Sequence, residues 1–147
     1  MSVAQKKPAL PRHGYAKTLA AQPVGSGAEL VSVEADLTRG LHNFAVVGLA
    51  DKAVDEARDR ISAAIRHSGY KPPKQQNKRI VLSLSPADLK KEGSHYDLAL
   101  ALAYLIAAGD LVQPTSEALY VGELALEGTL RAVKGVLPQV LTAKRKG

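Results

Sequence analysis

The side chains best suited to chemistry lie close together at Ser94, His95 and Asp97, which supply a hydroxyl, an imidazole and a carboxylate. Groups of these three types form the nucleophilic triads of serine hydrolases. The spacing argues against a triad, because neighbouring positions on a helix do not face one another. Ser94 and Asp97 instead match the S-x-x-D pattern of a capping box, which predicts the start of a helix. We therefore predict no catalytic residue here.

The composition excludes several other kinds of site. The chain has 147 residues and no cysteine, which rules out a thiolate zinc site and a cysteine nucleophile. Its four histidines are scattered and lack the spacing of metal ligands. The motif G-x-x-x-x-G-K-[ST] is absent, so nucleotide hydrolysis by this chain alone is not expected. We predict neither a metal nor a cofactor in this chain.

Positive charge is concentrated in a few segments of a chain whose net charge is +6. Residues 71–79 carry four cations and no acid, in a loop that Pro72 and Pro73 predict to be extended and mobile. Such a segment suits an anionic partner such as nucleic acid. A solvated loop that serves only solubility is the alternative. The candidate nucleic-acid contacts are Lys71, Lys74, Lys78, Arg79, Lys90 and Lys91.

Apolar periodicity predicts a flexible lead over residues 1–14 and a single domain over residues 15–147. Strands are expected at 15–24, 31–37, 44–47 and 80–85, with a hairpin of 120–126 and 129–133. Helices are expected at 51–68 and 98–108, and a last helix opens near Pro138. The order β-β-β-α-β-α-β-β-α predicts an α+β fold built as a two-layer α/β sandwich.

Three further expectations concern burial. The unbroken apolar run at 44–47 suits a strand covered on both faces. The helix at 98–108 is apolar almost all round and should therefore be buried. In the last helix, Leu137, Val140 and Leu141 should face inward.

No segment resembles an export signal or a membrane anchor. The longest apolar run, at 98–108, has 11 residues, whereas a helix that crosses a bilayer needs about 20. The first 13 residues are polar and contain proline, unlike a signal peptide. We expect a cytoplasmic protein with no membrane partner.

Five ordered motifs carry a family resemblance that extends from about Tyr15 to the end of the chain. They are EADLTRGL at 34–41, FAVVGLAD at 44–51, PADLKKEG at 86–93, YVGEL at 120–124 and VKGVLP at 133–138. Together they resemble the N-terminal domain of the ComM/YifB-type magnesium-chelatase-like AAA+ ATPases. The resemblance implies a Lon-protease-domain-like fold, followed in the family by an AAA+ module that binds ATP and Mg and assembles as a hexamer.

The resemblance also implies a function, since ComM-type proteins act as DNA helicases in natural transformation. This chain would be their non-catalytic accessory domain, with the AAA+ module and DNA as partners. The Lon kinship offers an alternative, a degenerate serine peptidase. Its nucleophile position falls on His95, or on Ser94 after a shift of one residue, and its lysine position falls on Gln139. A fragment of a magnesium-chelatase-type ATPase subunit is a third reading, suggested only by the family's name.

Overall fold

The structure, a computed structural model, describes residues 14–147. The lead predicted at residues 1–14 therefore lies outside the described residues except for Gly14. Gly14 is anchored to the domain, because its N–H donates to the Ala107 carbonyl at 3.2 Å and its own carbonyl accepts from Leu37 N at 2.7 Å. Within the described range the strands are β1 Tyr15–Val24, β2 Gly27–Arg39, β3 Asn43–Val47, β4 Lys78–Ser85, β5 Glu123–Leu124 and β6 Leu130–Arg131. The helices are α1 Lys52–Asp55, α2 Ala57–His67, α3 Asp97–Ala107 and α4 Val136–Lys146.

The predicted mixture of strands and helices is confirmed as an α+β architecture with a mostly antiparallel sheet. Four strands form one sheet in the order β1-β2-β4-β3, in which only the β3–β4 pair is parallel. The last two strands form a separate antiparallel hairpin that is shorter than predicted, with Leu124 opposite Leu130. The sheet order places β3 at an edge, and Val47 is 45% exposed. The expectation that this strand is covered on both faces was wrong, because an apolar run reveals composition but not the position of its strand in a sheet.

The hydrophobic core lies where the predicted alternation of β2 places it. Val31, Val33 and Ala35 have no exposed surface, as expected for the inward face of a strand with a period of two. Helix α3 packs on this sheet, and the Thr18 hydroxyl of β1 donates to the carbonyl of Ala99 at 2.8 Å. The predicted burial of α3 is confirmed along most of its length.

The helix predicted at 51–68 is present as two segments, α1 and α2, with Glu56 between them. Asp51 caps the first segment as predicted, since its carboxylate accepts from Val54 N at 2.9 Å. The second segment ends at His67 with Ser68 as its C-cap, and Gly69 follows with a φ of 88°. Glycine adopts this left-handed conformation without the steric cost that a Cβ would bring.

The orientation of α4 differs from the prediction. Its buried side chains are Gln139 and Thr142, whereas Leu137, Val140 and Leu141 are 68%, 51% and 43% exposed. The apolar residues were correctly recognised as one helix face, but periodicity cannot say which face meets the rest of the protein.

A close backbone approach joins the loop after β3 to strand β4. At Gly48 the backbone has a φ of 113°, and a Cβ there would lie far inside van der Waals contact with the Leu84 carbonyl. The next residue, Leu49, also has a left-handed φ, of 57°, and its carbonyl accepts from Lys91 N at 3.0 Å. This loop therefore holds β3 beside β4 and brings it next to the segment that precedes α3.

Candidate functional site

Four of the six predicted nucleic-acid contacts lie together at one end of the sheet. Lys78 and Arg79 begin β4, and Lys71 and Lys74 lie in the loop that leads into it. This loop is not extended throughout, because Pro73–Gln75 forms a 3-10 turn. It is also anchored, since the hydroxyl of Tyr104 in α3 donates to the Lys71 carbonyl at 2.9 Å.

The strand register adds a fifth cation that sequence reasoning missed. Arg39, the last residue of β2, pairs directly with Lys78, and Arg79 lies between Thr38 and Asn43 of the two neighbouring strands. Like charges directly opposite one another across two strands are destabilising. We call Arg39, Lys71, Lys74, Lys78 and Arg79 the sheet-end cluster. Within residues 14–147, none of the five forms a salt bridge.

The other two predicted contacts do not belong to this cluster. They follow the C-terminal end of β4, opposite the cluster. This eight-residue strand is about 23 Å long, at about 3.3 Å per residue. Lys90 is exposed and forms a salt bridge with Glu92 at 3.3 Å. The assignment of Lys91 as a phosphate contact was wrong, because its side chain is fully buried.

Lys91 instead connects two loops through its ammonium group. Its Nζ donates to the carbonyl of Gly48 at 2.6 Å and also to the carbonyl of Pro86. Burial lowers the pKa of Lys91 below its usual value, and the nearby carboxylate of Asp88 opposes that shift. Sequence patterns give no sign of this role, because both acceptors are backbone carbonyls of other segments.

A second candidate site is a cleft of about 350 Å³ at the beginning of α3. The Ser94 hydroxyl donates to the carboxylate of Glu123, which lines the cleft together with Lys134. His95 also lines the cleft, but its Nε2 lies 2.7 Å from the Ala21 carbonyl, and burial lowers the pKa of the imidazole. The structure therefore places a serine, a glutamate, a lysine and a histidine around one cleft, with the Ser94 hydroxyl bonded to Glu123 and the histidine bonded to a backbone carbonyl.

Asp97 is a buried structural acid and not a helix cap. Its carboxylate accepts from Arg60 Nε at 2.6 Å, from Arg60 Nη2 at 2.9 Å and from Leu124 N at 3.0 Å. The predicted capping box with Ser94 was wrong, because both side chains have partners distant in sequence. Burial raises the pKa of Asp97, although the bonds from Arg60 and Leu124 oppose the shift.

The two positions that the Lon resemblance assigns to a peptidase dyad are both buried. His95 is 5% exposed and Gln139 is fully buried, with its amide nitrogen donating to the Gly135 carbonyl at 3.1 Å. Among residues 14–147, no group of three or more His, Asp or Glu side chains is arranged to hold a metal ion. Over the same range, no helix is long and apolar enough to cross a membrane.

Comparison with known proteins identifies the family. A family model described as subunit ChlI of Mg-chelatase matches residues 33–147, most of the chain. This chain belongs to the ChlI family. The match confirms the resemblance drawn from the five motifs, and it covers both the sheet-end cluster and the Ser94 cleft.

Curated relatives of this ChlI-family chain carry the names expected from the motifs. An uncharacterized protein of Mycobacterium tuberculosis is 48% identical over 124 residues, which cover 84% of this chain and 24% of the relative. Competence protein ComM of Haemophilus influenzae is 42% identical over 123 residues, covering 83% of this chain and 24% of ComM. Protein YifB of Escherichia coli is 42% identical over 125 residues, covering 84% and 24%. The chain thus spans about a quarter of the length of these relatives.

Proposed function

We propose that this chain is a non-catalytic accessory domain of a ComM-like AAA+ ATPase that processes DNA during natural transformation. Its role is to contact DNA through the sheet-end cluster while the AAA+ module, the part that binds ATP and Mg, works as a hexameric ring in the cytoplasm. The relatives named ComM and YifB and the family match support the parent family. The Lon-like two-layer fold is part of the same proposal, and the helix α3 packed on a mostly antiparallel sheet supports it.

The observation that carries the DNA contact is the cross-strand pair of Arg39 and Lys78. Two cations held directly opposite each other cost stability in the free protein. A phosphate placed between them removes that cost and gains charge-assisted hydrogen bonds. Lys71 and Lys74 lie in the loop that precedes the pair, whereas Arg79 projects from the opposite face of the sheet, because successive residues of a strand alternate in direction.

Salt-dependent binding to duplex DNA tests this proposal. If all five cations of the cluster contact phosphates, log K falls against log salt with a slope of about −4.5, at about 0.9 per contact. Replacing Lys71, Lys74, Lys78 and Arg79 together with alanine should reduce the magnitude of this slope by about 3.6. The measurement is fluorescence anisotropy over a salt series.

A matched control removes the same amount of charge elsewhere. Four exposed lysines outside the cluster, Lys17, Lys52, Lys90 and Lys144, are replaced together with alanine. This control should keep the wild-type slope. Unchanged affinity of the cluster variant in low salt, or an equal loss in the control, contradicts a DNA contact at this place.

The Ser94 cleft favours one second candidate, a degenerate Lon-like peptidase with Ser94 as its nucleophile. The neighbouring carboxylate of Glu123 and the ammonium of Lys134 line the same cleft and would have to activate the hydroxyl. The accessory-domain proposal predicts that the chain hydrolyses no fluorogenic peptide. Hydrolysis abolished by Ser94→Ala but retained by Ser116→Ala, a change at an exposed serine, would establish the peptidase instead. The third reading, a magnesium-chelatase ATPase subunit fragment, fits the family name but not the relatives named ComM and YifB.

A further inference from the structure

The last helix, α4, presents its apolar side chains outward. Val136, Leu137, Val140 and Leu141 are between 38% and 68% exposed. These positions are spaced by one, three and four residues, so at about 100° per residue they form one continuous stripe along the helix. We call these four residues the α4 stripe. Gln139 and Thr142, which are buried, lie on the opposite side of the helix.

The side of α4 that meets the sheet is polar. The Thr142 hydroxyl donates to the Ala28 carbonyl in β2 at 3.3 Å, and Gln139 Nε2 donates to the Gly135 carbonyl at 3.1 Å. Within residues 14–147, Gln139 Oε1 is a buried side-chain oxygen without a hydrogen-bond partner. A helix with polar contacts on its inner side and a clustered apolar stripe outside has the pattern of a protein interface.

Charge around the stripe restricts what can cover it. Helix α4 contains no acidic residue, and its last turn carries Lys144, Arg145 and Lys146. Arg131 and Lys134 lie just before its first turn. A second copy of this chain would bring cations against cations whether the two helices ran parallel or antiparallel. The complementary partner is therefore an apolar surface rimmed by Asp and Glu.

We propose that the α4 stripe docks onto the remainder of the longer protein, on an apolar surface of the AAA+ module that is rimmed by acidic residues. The inference rests on the proposed accessory-domain function. Besides charge, the length of the relatives supports this docking. The matched part of this chain corresponds to only 24% of ComM, so about three quarters of such a protein are available to cover the stripe. The docking face is distinct from the sheet-end cluster, so the domain can be held by one surface and contact DNA with another.

Hydrogen–deuterium exchange tests the docking by comparing the longer protein that contains this domain with the 147-residue chain. The α4 amides should exchange at least about tenfold more slowly in the longer protein, because docking suppresses local opening of the helix. Replacing Leu137 and Val140 together with aspartate should restore the faster exchange. The double replacement leaves the fold intact because both side chains are exposed. Leu41→Asp and Val112→Asp, at apolar residues that are 94% and 91% exposed, are matched controls and should preserve the protection.

Each other outcome overturns a defined part of the inference. Equal exchange of α4 in the two proteins overturns the docking, while DNA binding by the sheet-end cluster remains a separate measurement on the 147-residue chain. If the 147-residue chain dimerises in sedimentation and the double variant does not, a second copy of the chain covers the stripe. This result overturns the proposed docking on the AAA+ module. A longer protein without an ATPase module overturns the proposed function itself.

Discussion

At the scale of single residues, His95 shows how a titratable group can be bound to the fold and removed from chemistry. The residue is 5% exposed, its ring centroid lies 4.2 Å from that of Tyr96 with the rings tilted by 36°, and its Nε2 is hydrogen-bonded to the carbonyl of Ala21 in β1. Burial lowers the pKa of His95 from its ordinary 6.5, although the Ala21 carbonyl and the carboxylates of Asp97 and Asp51 oppose the shift. The imidazole is therefore neutral in the folded protein under conditions in which the unfolded chain has begun to bind a proton.

This difference predicts a pH-dependent stability. Below pH 6.5 the unfolded state binds a proton that the folded state does not, so the free energy of unfolding falls as the pH falls through 6.5 towards the folded pKa. The loss is at most about 1.4 kcal/mol per pH unit for one group. Urea unfolding between pH 5 and 7.5, followed by circular dichroism, measures it.

His95→Gln is the control, since glutamine retains a donor for the Ala21 carbonyl and has no titrating group. The pH slope should flatten in this variant. Asp97 changes the free energy of unfolding in the opposite direction above pH 3.8, because burial raises its pKa. Its contribution is the same in the wild type and in the His95→Gln variant. An identical slope in the two proteins would show that His95 is not the source.

The role of a polar side chain could be predicted only where its hydrogen-bond or ion-pair partner lies nearby in sequence. Asp51 was correctly predicted as a helix cap because its acceptor role involves Val54, three positions away. Asp97 was assigned to a local cap, yet its carboxylate binds Arg60, which is 37 positions away. Arg39 was missed as a member of the sheet-end cluster because its position beside Lys78 depends on the register of two distant strands.

At the scale of elements, Lys91 connects segments that no strand pairing joins. Its backbone forms an isolated bridge with Ala50, and its ammonium group bonds the carbonyls of Gly48 and Pro86. The loop after β3 and the loop after β4 therefore share one buried cation. The Pro86 carbonyl also accepts from Leu89 N at 3.4 Å, so the ammonium group is its second donor.

Replacing this lysine should weaken the fold. Lys91→Met keeps a similar length but leaves both carbonyls without the ammonium donor, so we expect a loss of about 2–3 kcal/mol in the free energy of unfolding. The measurement is chemical denaturation of the 147-residue chain. Lys90→Met is the matched control at an exposed neighbour, and its effect should stay within about 0.5 kcal/mol. Equal stability of the two variants would show that the Lys91 hydrogen bonds contribute nothing.

Sequence periodicity predicted the elements well but not their surroundings. The alternation in β2 identified its inward face correctly, since Val31 and Val33 are fully buried. The apolar run of β3 and the stripe of α4 gave the correct type of element but the wrong burial. In both cases the missing information was tertiary, namely the position at a sheet edge and the side of the helix that meets β2.

At the scale of the whole molecule, the charge is divided between two regions with different proposed roles. The sheet-end cluster contains five cations without a salt bridge among the described residues, whereas the last turn of α4 contributes three more at a separate surface. A net charge of +6 alone cannot distinguish these regions. The two experiments address them separately, because the cluster variant leaves α4 unaltered and the double replacement of Leu137 and Val140 leaves the sheet-end cluster unaltered.

The family could be recognised from the sequence because five motifs occur in order along the chain. One motif places Gly48 after β3, and another places Lys91 before α3, so two separated stretches of sequence meet in one contact. Composition and spacing could not reveal this contact, since neither residue type is specific to it. The motif match covers much of the fold, but the roles of individual residues become visible only in three dimensions.

The crowding at Gly48 has a consequence for how the third strand is held. A single methyl group there would collide with the peptide of Leu84, and the backbone dihedral already excludes most other residues. The spacing of β3 and β4 therefore depends on the lack of a Cβ atom at Gly48. A substitution elsewhere in the core cannot make room for a Cβ atom at this position. The atoms in its way belong to the main chain and cannot move to another rotamer.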